Sequence, residues 1–279
     1  MAVAARKLED AKAFADRHGI GTSYGDYEAL AKDSSVDVRI VHLQLLESFF
    51  HSHIQVVYIG AINPSHLKLA KMYIEAGKAV LCEKPLCMNV RDTEELVSLA
   101  RERKVFLMEA IWSRCLPAYK AVMAAIAAGE VGDVKQVLAF FGFPITADRL
   151  HKKELGGGTV LDLGIYTIQF AQLIFGGEMP VVTAGGHLGP GGCDMSASMT
   201  LTYPSGGTAS LATHSEVQLP NEATVVGTKG TLKLTNFWTS LDLIHADGSV
   251  EKFSLPAGSK HPFNFVNSAN FAHEVGEDP

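Results

Sequence analysis

The sequence predicts two joined folds: an incomplete Rossmann-type parallel sheet, then a mainly antiparallel open β-sheet with one inserted helix, an α/β plus α+β architecture. Three observations predict it. Between residues 56 and 108, short apolar runs alternate with helical patterns in a βαβαβ order. Beyond residue 130 the pattern changes to short alternating runs separated by turn residues. One apolar stretch bracketed by glycines, "GGGTVLDLGIYTIQFAQLIFGG" (156–177), interrupts that second region and reads as its helix. The boundary falls near residue 110, between a first domain, 1–110, and a second, 111–279.

Each element has a local cause. "VVYIGA" (56–61) is a β-branched strand, and Asn63-Pro64 comes next as cap and first residue of the helix "SHLKLAKMYIEAG". "KAVLC" is the next strand. Asn89 caps a helix with Val90, Thr93, Val97 and Ala100 at helical spacing, and "KVFLM" (104–108) closes the run. Strands joined by helices lie parallel, so 60–63, 83–85 and 109–111 are expected at one edge of the sheet, where such folds bind ligands. Lys84, in "CEKP", then stands in a crevice rather than at an ordinary strand end. Past a helix at 117–128 come seven strand-like runs, with Pro204–Gly207 and Asp247-Gly248 as hairpin turns.

Composition narrows the function. The chain has 279 residues, 47% hydrophobic and 19% charged, with a net charge of −6, enough for two packed domains. No Lys/Arg block exists to bind nucleic acid or an anionic membrane, and neither a secretion signal nor a membrane-spanning stretch is expected. Four cysteines without CxxC spacing read as reduced and structural, which points to the cytosol.

Asp162 and Tyr166 are four residues apart and share a helix face. A carboxylate and a phenol so placed either serve packing and the helix dipole or serve proton chemistry. A phenol with an ordinary pKa of about 10 needs a nearby cation for the latter, and Lys84 is the candidate.

"AGKAVLCEKP" followed by "GGGTVLDLGIY" resembles the glucose-fructose oxidoreductase/inositol dehydrogenase family. "FLMEAIWSRCLPAYKAV" and "VVGTKGTLKL" resemble its dimeric dihydrodiol dehydrogenase branch, also called NADP-dependent D-xylose dehydrogenases. The resemblance implies that Lys84 lies beside the nicotinamide and that Tyr166 is the proton donor or acceptor. It implies further that Asp162, Trp112, Arg114 and Trp238 form the substrate pocket, and that Asn63, Pro64, His66, Glu83 and Lys84 hold the cofactor with Arg6. In "MAVAAR" a strand ends on Arg6-Lys7, where a cation suits the 2′-phosphate of NADP. The reaction implied is oxidation of a trans-dihydrodiol of an arene to a catechol, or of D-xylose at C1, by a homodimer.

Three departures from the family are visible. No GxGxxG occurs in the chain, and residues 1–6 resemble a second strand rather than a first. The sheet is therefore expected to lack its central strand and to leave two strand edges unpaired. "RIVHLQLLESFFHSHIQ" (39–55) reads as an insertion, with an amphipathic helix expected over a replacement strand. Its His42, His51 and His53 lack partner carboxylates or thiols, so no metal is expected. The ending, "NSANFAHEVGEDP", departs from the relatives' further helix. Weak NADP binding is therefore expected, and a non-catalytic dimerisation partner is the alternative reading.

Overall fold

A computed structural model of the chain describes residues 2–33, 38–41 and 56–254. They divide into two compact units, Met1–Ala110 and Ile111–Pro279.

The first unit runs β1 (Ala2–Ala4), α1 (Leu8–His18), β2 (Thr22–Tyr24), α2 (Tyr27–Lys32), β3 (Val38–Val41), β4 (Val56–Ile59), α3 (His66–Glu75), β5 (Ala79–Glu83), α4 (Val90–Arg103) and β6 (Leu107–Ala110). Its six strands are all parallel, in the order β2-β1-β3-β4-β5-β6. Strands β1, β4 and β5 read apolar because both their faces are covered. Val57, Ile59, Val80 and Cys82 pack with Leu30, Leu69, Tyr73, Ile74 and Leu96 into one core. Each fully buried aliphatic side chain contributes about 1.5–3 kcal/mol.

The expected empty centre is corrected here. β3 pairs with β1 on one side and β4 on the other, so neither of those edges is open. A parallel neighbour needs only a crossover of about a dozen residues, wherever it comes in the chain. Of the expected insertion, then, 39–41 belong to a strand rather than a helix. The remainder, with His42, His51 and His53, lies outside the described residues, as does the stretch 255–279.

Smaller corrections concern helix edges. Asn63 is not a cap but the first residue of a short 3-10 turn, Asn63–Ser65, which leads into α3. Asn89 does cap α4, its side chain accepting the Asp92 N–H at 3.0 Å. The buried stripe of α4 is Leu96 and Ala100, and Val90 stays 73% exposed. The strand expected at 104–108 begins only at Leu107, because α4 runs through Arg103 and Lys104 turns into the left-handed region.

The second unit comprises α5 (Pro117–Ala127), β7 (Val134–Gly142), α6 (Asp148–His151), α7 (Ile165–Phe175), β8 (Val181–Leu188), β9 (Asp194–Thr202), β10 (Thr208–His214), β11 (Glu222–Gly227), β12 (Thr231–Thr235), β13 (Asp242–Ile244) and β14 (Val250–Lys252). The sheet order is β14-β13-β12-β11-β7-β10-β9-β8, antiparallel except at β7/β10. One face packs on α5 and α7 through Val137, Phe141, Leu211, Val225, Tyr119 and Phe170. Both expected hairpin turns are present, between β9 and β10 and between β13 and β14. Lys153–Phe175, contrary to expectation, is long and apolar enough by composition to cross a membrane. It is apolar because α7 is the core helix of this unit, with Phe170 and Ala171 fully buried.

Candidate active site

In the first unit, the carboxyl ends of the parallel strands collect the residues that the sequence singles out. The register pairs Ile59 with Cys82 and Glu83 with Ala110, so the turns after β4, β5 and β6 share one edge. There Tyr58 Oη donates to Glu83 Oε1 at 2.5 Å, and the other oxygen, Oε2, accepts the Lys84 N–H at 3.2 Å. Glu109 Oε1 accepts the Leu86 N–H at 2.8 Å. Two carboxylates thus shape the turn that presents Lys84, whose bond to Pro85 is cis. His66 is fully buried, with Nδ1 2.8 Å from the Pro85 carbonyl and Nε2 2.9 Å from that of Ala61. The ring ties the turn after β4 to the turn after β5. Arg6 is exposed just beyond β1, and its charge partly offsets the burial that pushes the Tyr27 phenol up.

Burial drives Cys82 well above the usual thiol range and pushes Cys87 up to about 11.

In the second unit, the glycines of "GGG" admit neighbours that a Cβ would exclude. A Cβ on Gly157 would stand 2.5 Å from the Leu150 carbonyl oxygen, and one on Gly158 2.2 Å from Asp194 Oδ1. Gly158 also has φ +127°, a conformation that only glycine adopts readily. After the glycines the chain forms a π-helical turn, Val160–Gly164, rather than regular α-helix, and this turn leads into α7. Such turns are frequent at functional sites. This one carries Asp162, and Tyr166 comes one turn later. Both are buried, at 6% and 5% exposure. Arg149 Nη1 from α6 donates to Asp162 Oδ1 at 2.7 Å.

Tyr166 is walled by aromatic edges. Its ring meets Trp112 at 6.0 Å and Phe141 at 5.4 Å between centroids, both edge-on. Trp238 continues the wall, 5.9 Å from Trp112 and 5.4 Å from Phe141. Its indole Nε1–H is buried without a hydrogen-bond acceptor among the described residues, a donor that a ligand oxygen would satisfy. Arg114 is exposed and engaged elsewhere: Nε donates to Gln169 Oε1 at 3.0 Å and Nη2 to the Gln169 carbonyl at 3.2 Å. It anchors the turn Trp112–Cys115 to α7.

Within the second unit ring contacts group Trp112, Tyr166 and Trp238, and Asp162 lies one turn before Tyr166. Within the first the structure brings together Asn63, Pro64, His66, Glu83 and Lys84, with Arg6 at the end of β1. Sequence reasoning missed Arg149, Phe141 and Asp194. "DRLHKK" (148–153) looks like a solvated loop, and only the short spacing from Arg149 to the glycines hints at a partner for Asp162.

Comparison with known proteins agrees with both units. Residues 1–111 match the oxidoreductase family with an NAD-binding Rossmann fold, and residues 119–233 match the GFO/IDH/MocA C-terminal domain. The chain is 41% identical over 278 residues to the trans-1,2-dihydrobenzene-1,2-diol dehydrogenase of Xenopus tropicalis, covering 99% of this chain and 78% of that one. The human enzyme of that name is 39% identical over 278 residues, with 99% and 77% covered. Among solved structures, a 3-ketoreductase of Actinomadura kijaniata, KijD10, in complex with NADP and TDP-benzene, is similar with a TM-score of 0.76 and 26% identity, over 100% of this chain and 83% of that one.

Proposed function

The chain belongs to the Gfo/Idh/MocA oxidoreductase family, and from that premise we propose that it is an NADP-dependent dehydrogenase of vicinal hydroxyls. Its substrates are trans-dihydrodiols of arenes, oxidised to catechols, or D-xylose, oxidised to D-xylonolactone. The observation that carries this reading is the buried pair Asp162 and Tyr166, one turn apart, with the Tyr166 ring walled by Trp112 and Phe141.

The residues fit the cofactor at three points. Arg6 offers a cation beyond β1 for a 2′-phosphate, Asn63 and Pro64 form the tight turn after β4, and Lys84 stands at the end of β5 for the nicotinamide ribose. When bound, the nicotinamide supplies the hydride acceptor. Tyr166 Oη takes the proton of the reacting hydroxyl, Asp162 accepts a hydrogen bond from the neighbouring hydroxyl, and the rings of Trp112, Phe141 and Trp238 exclude water.

The reading includes a homodimer through the open face of the second sheet. All eight residues of the edge strand β8 are exposed, Val181, Val182 and Leu188 among them. The same surface would serve the second reading, a non-catalytic partner subunit. Four reduced, buried cysteines suit a cytosolic setting.

Titration with NADPH, followed by its fluorescence, tests the cofactor. Saturable binding weakened about tenfold or more by Arg6→Ala and by Lys84→Ala is expected. Binding that is absent, or indifferent to both changes, would leave the non-catalytic reading.

A further inference from the structure

We propose that Asp194, at the start of β9, is a positioning residue: it sets the π-helical turn that carries Asp162 and, one turn on, Tyr166. The proposal rests on the dehydrogenase reading of that pair.

The first N–H groups of a helix have no partner inside it. Here Thr159 precedes the turn without capping it through its side chain. The acceptor comes from another element, since Asp194 Oδ2 receives the Val160 N–H at 2.7 Å. A bond to a carboxylate at a helix start is stronger than one between neutral groups, because the charge meets the positive end of the helix dipole.

The other carboxylate oxygen, Oδ1, occupies the space beside Gly158 that a Cβ would fill. That contact reaches the site directly, because the Gly158 carbonyl accepts the Asp162 N–H at 3.3 Å. Moving the Asp194 carboxylate therefore moves the backbone at both Val160 and Asp162. A second tie lies on the same side: Thr159 Oγ1 is 2.9 Å from Thr213 Oγ1 of β10, both fully buried. Thr213 also packs its methyl group where a Cβ on Gly164 would lie at 3.3 Å. The turn is thus keyed to two neighbouring strands, and Asp194 supplies the charged key. A wide turn has poorer intrinsic stability than α-helix, so its geometry depends on such outside partners.

The test uses the full chain with Asp194→Ala, Asp194→Asn and Asp194→Glu. For each, kcat and KM for the diol are measured at saturating NADP, well below the variant's own Tm, together with near-ultraviolet circular dichroism and tryptophan emission. The chain has two tryptophans, Trp112 and Trp238, and both belong to the ring group around Tyr166, so the spectra report on the site itself. Asp194→Ala is expected to lower kcat by about tenfold or more, with NADP affinity unchanged within about twofold, and to shift both spectra. Asp194→Asn keeps an acceptor oxygen and restores kcat to within about threefold and the spectra to the original.

A lower Tm for Asp194→Ala with kcat and spectra unchanged would overturn the proposal, because the residue would then serve stability alone. Should that variant not fold, Asp194→Glu, which drives the carboxylate one methylene further toward Gly158, carries the same expectation and the same refutation. If the unaltered chain turns over no substrate, the dehydrogenase reading fails. The spectra of the variants then decide the role of Asp194 by themselves.

Discussion

Arg149 and Asp162 form an ion pair across one wall of the candidate site, 2.7 Å from Nη1 to Oδ1, with the carboxylate side chain 9% exposed and the guanidinium 52%. The asymmetry decides what the pair does. The arginine end is wet and gains little, whereas the carboxylate would be costly to bury without compensation. Arg149→Ala is therefore expected to destabilise the fold by about 1–2 kcal/mol in urea unfolding. It should also raise KM for the diol and leave NADP affinity alone. Unchanged stability and kinetics would show that solvent and other neighbours hold Asp162 unaided.

The glycine triplet yields a contrast within one stretch. Gly158→Ala places a methyl group against Asp194 Oδ1 at a backbone conformation that L residues rarely adopt, and is expected to cost about 2–3 kcal/mol. Gly177, just past α7, has nothing within 4 Å of an added Cβ. Gly177→Ala should be neutral within about 0.5 kcal/mol. Thermal melts of the two variants check the pair, and similar losses in both would contradict the close approach of Asp194.

His245 predicts a pH dependence away from the site. Its ring bridges Glu130, 3.1 Å from Nδ1, and Glu251, 3.2 Å from Nε2, which fastens the β13–β14 hairpin to the turn after α5. The Glu130 hydrogen bond raises the imidazole above its ordinary 6.5. The backbone N–H of Ala246, and then His245, hold Glu130 below its ordinary 4.5. A raised histidine stabilises fully below 6.5 and loses its contribution as pH climbs through the higher folded value. A depressed carboxylate stabilises fully above 4.5 and loses its contribution as pH falls through the lower folded value. The Tm advantage of the unaltered protein over His245→Gln should thus be largest between these limits and shrink as pH rises above 6.5. An advantage that grows toward alkaline pH would contradict the bridge.

Much of the fold and the site was legible in the chain, and the reasons are local. Alternating strand and helix patterns and the glycine-bounded helix depend on neighbours in sequence, and so does the four-residue spacing of Asp162 and Tyr166. The hidden parts depend on distant partners. Asp194 reaches Val160 across 34 positions and Arg149 reaches Asp162 across 13, and neither carries a motif. Val38–Val41 shows the opposite failure. Its place in the chain order argues against a replacement strand, but parallel pairing in the slot between β1 and β4 does not depend on that order. A helical stripe can be drawn through either side of α4, Val90 or Leu96, and packing buries Leu96.

The decisive measurement is the initial rate of NADP reduction at saturating cofactor with a trans-dihydrodiol of benzene, compared between the unaltered chain and Tyr166→Phe. The variant keeps the ring that packs on Trp112 and Phe141 and removes only the hydroxyl. Proton transfer through Tyr166 requires measurable turnover by the unaltered chain and a loss of about 10²–10⁴-fold in the variant, with NADP affinity unchanged. Equal rates in the two proteins, or no turnover by a folded protein with NADP bound, would contradict it.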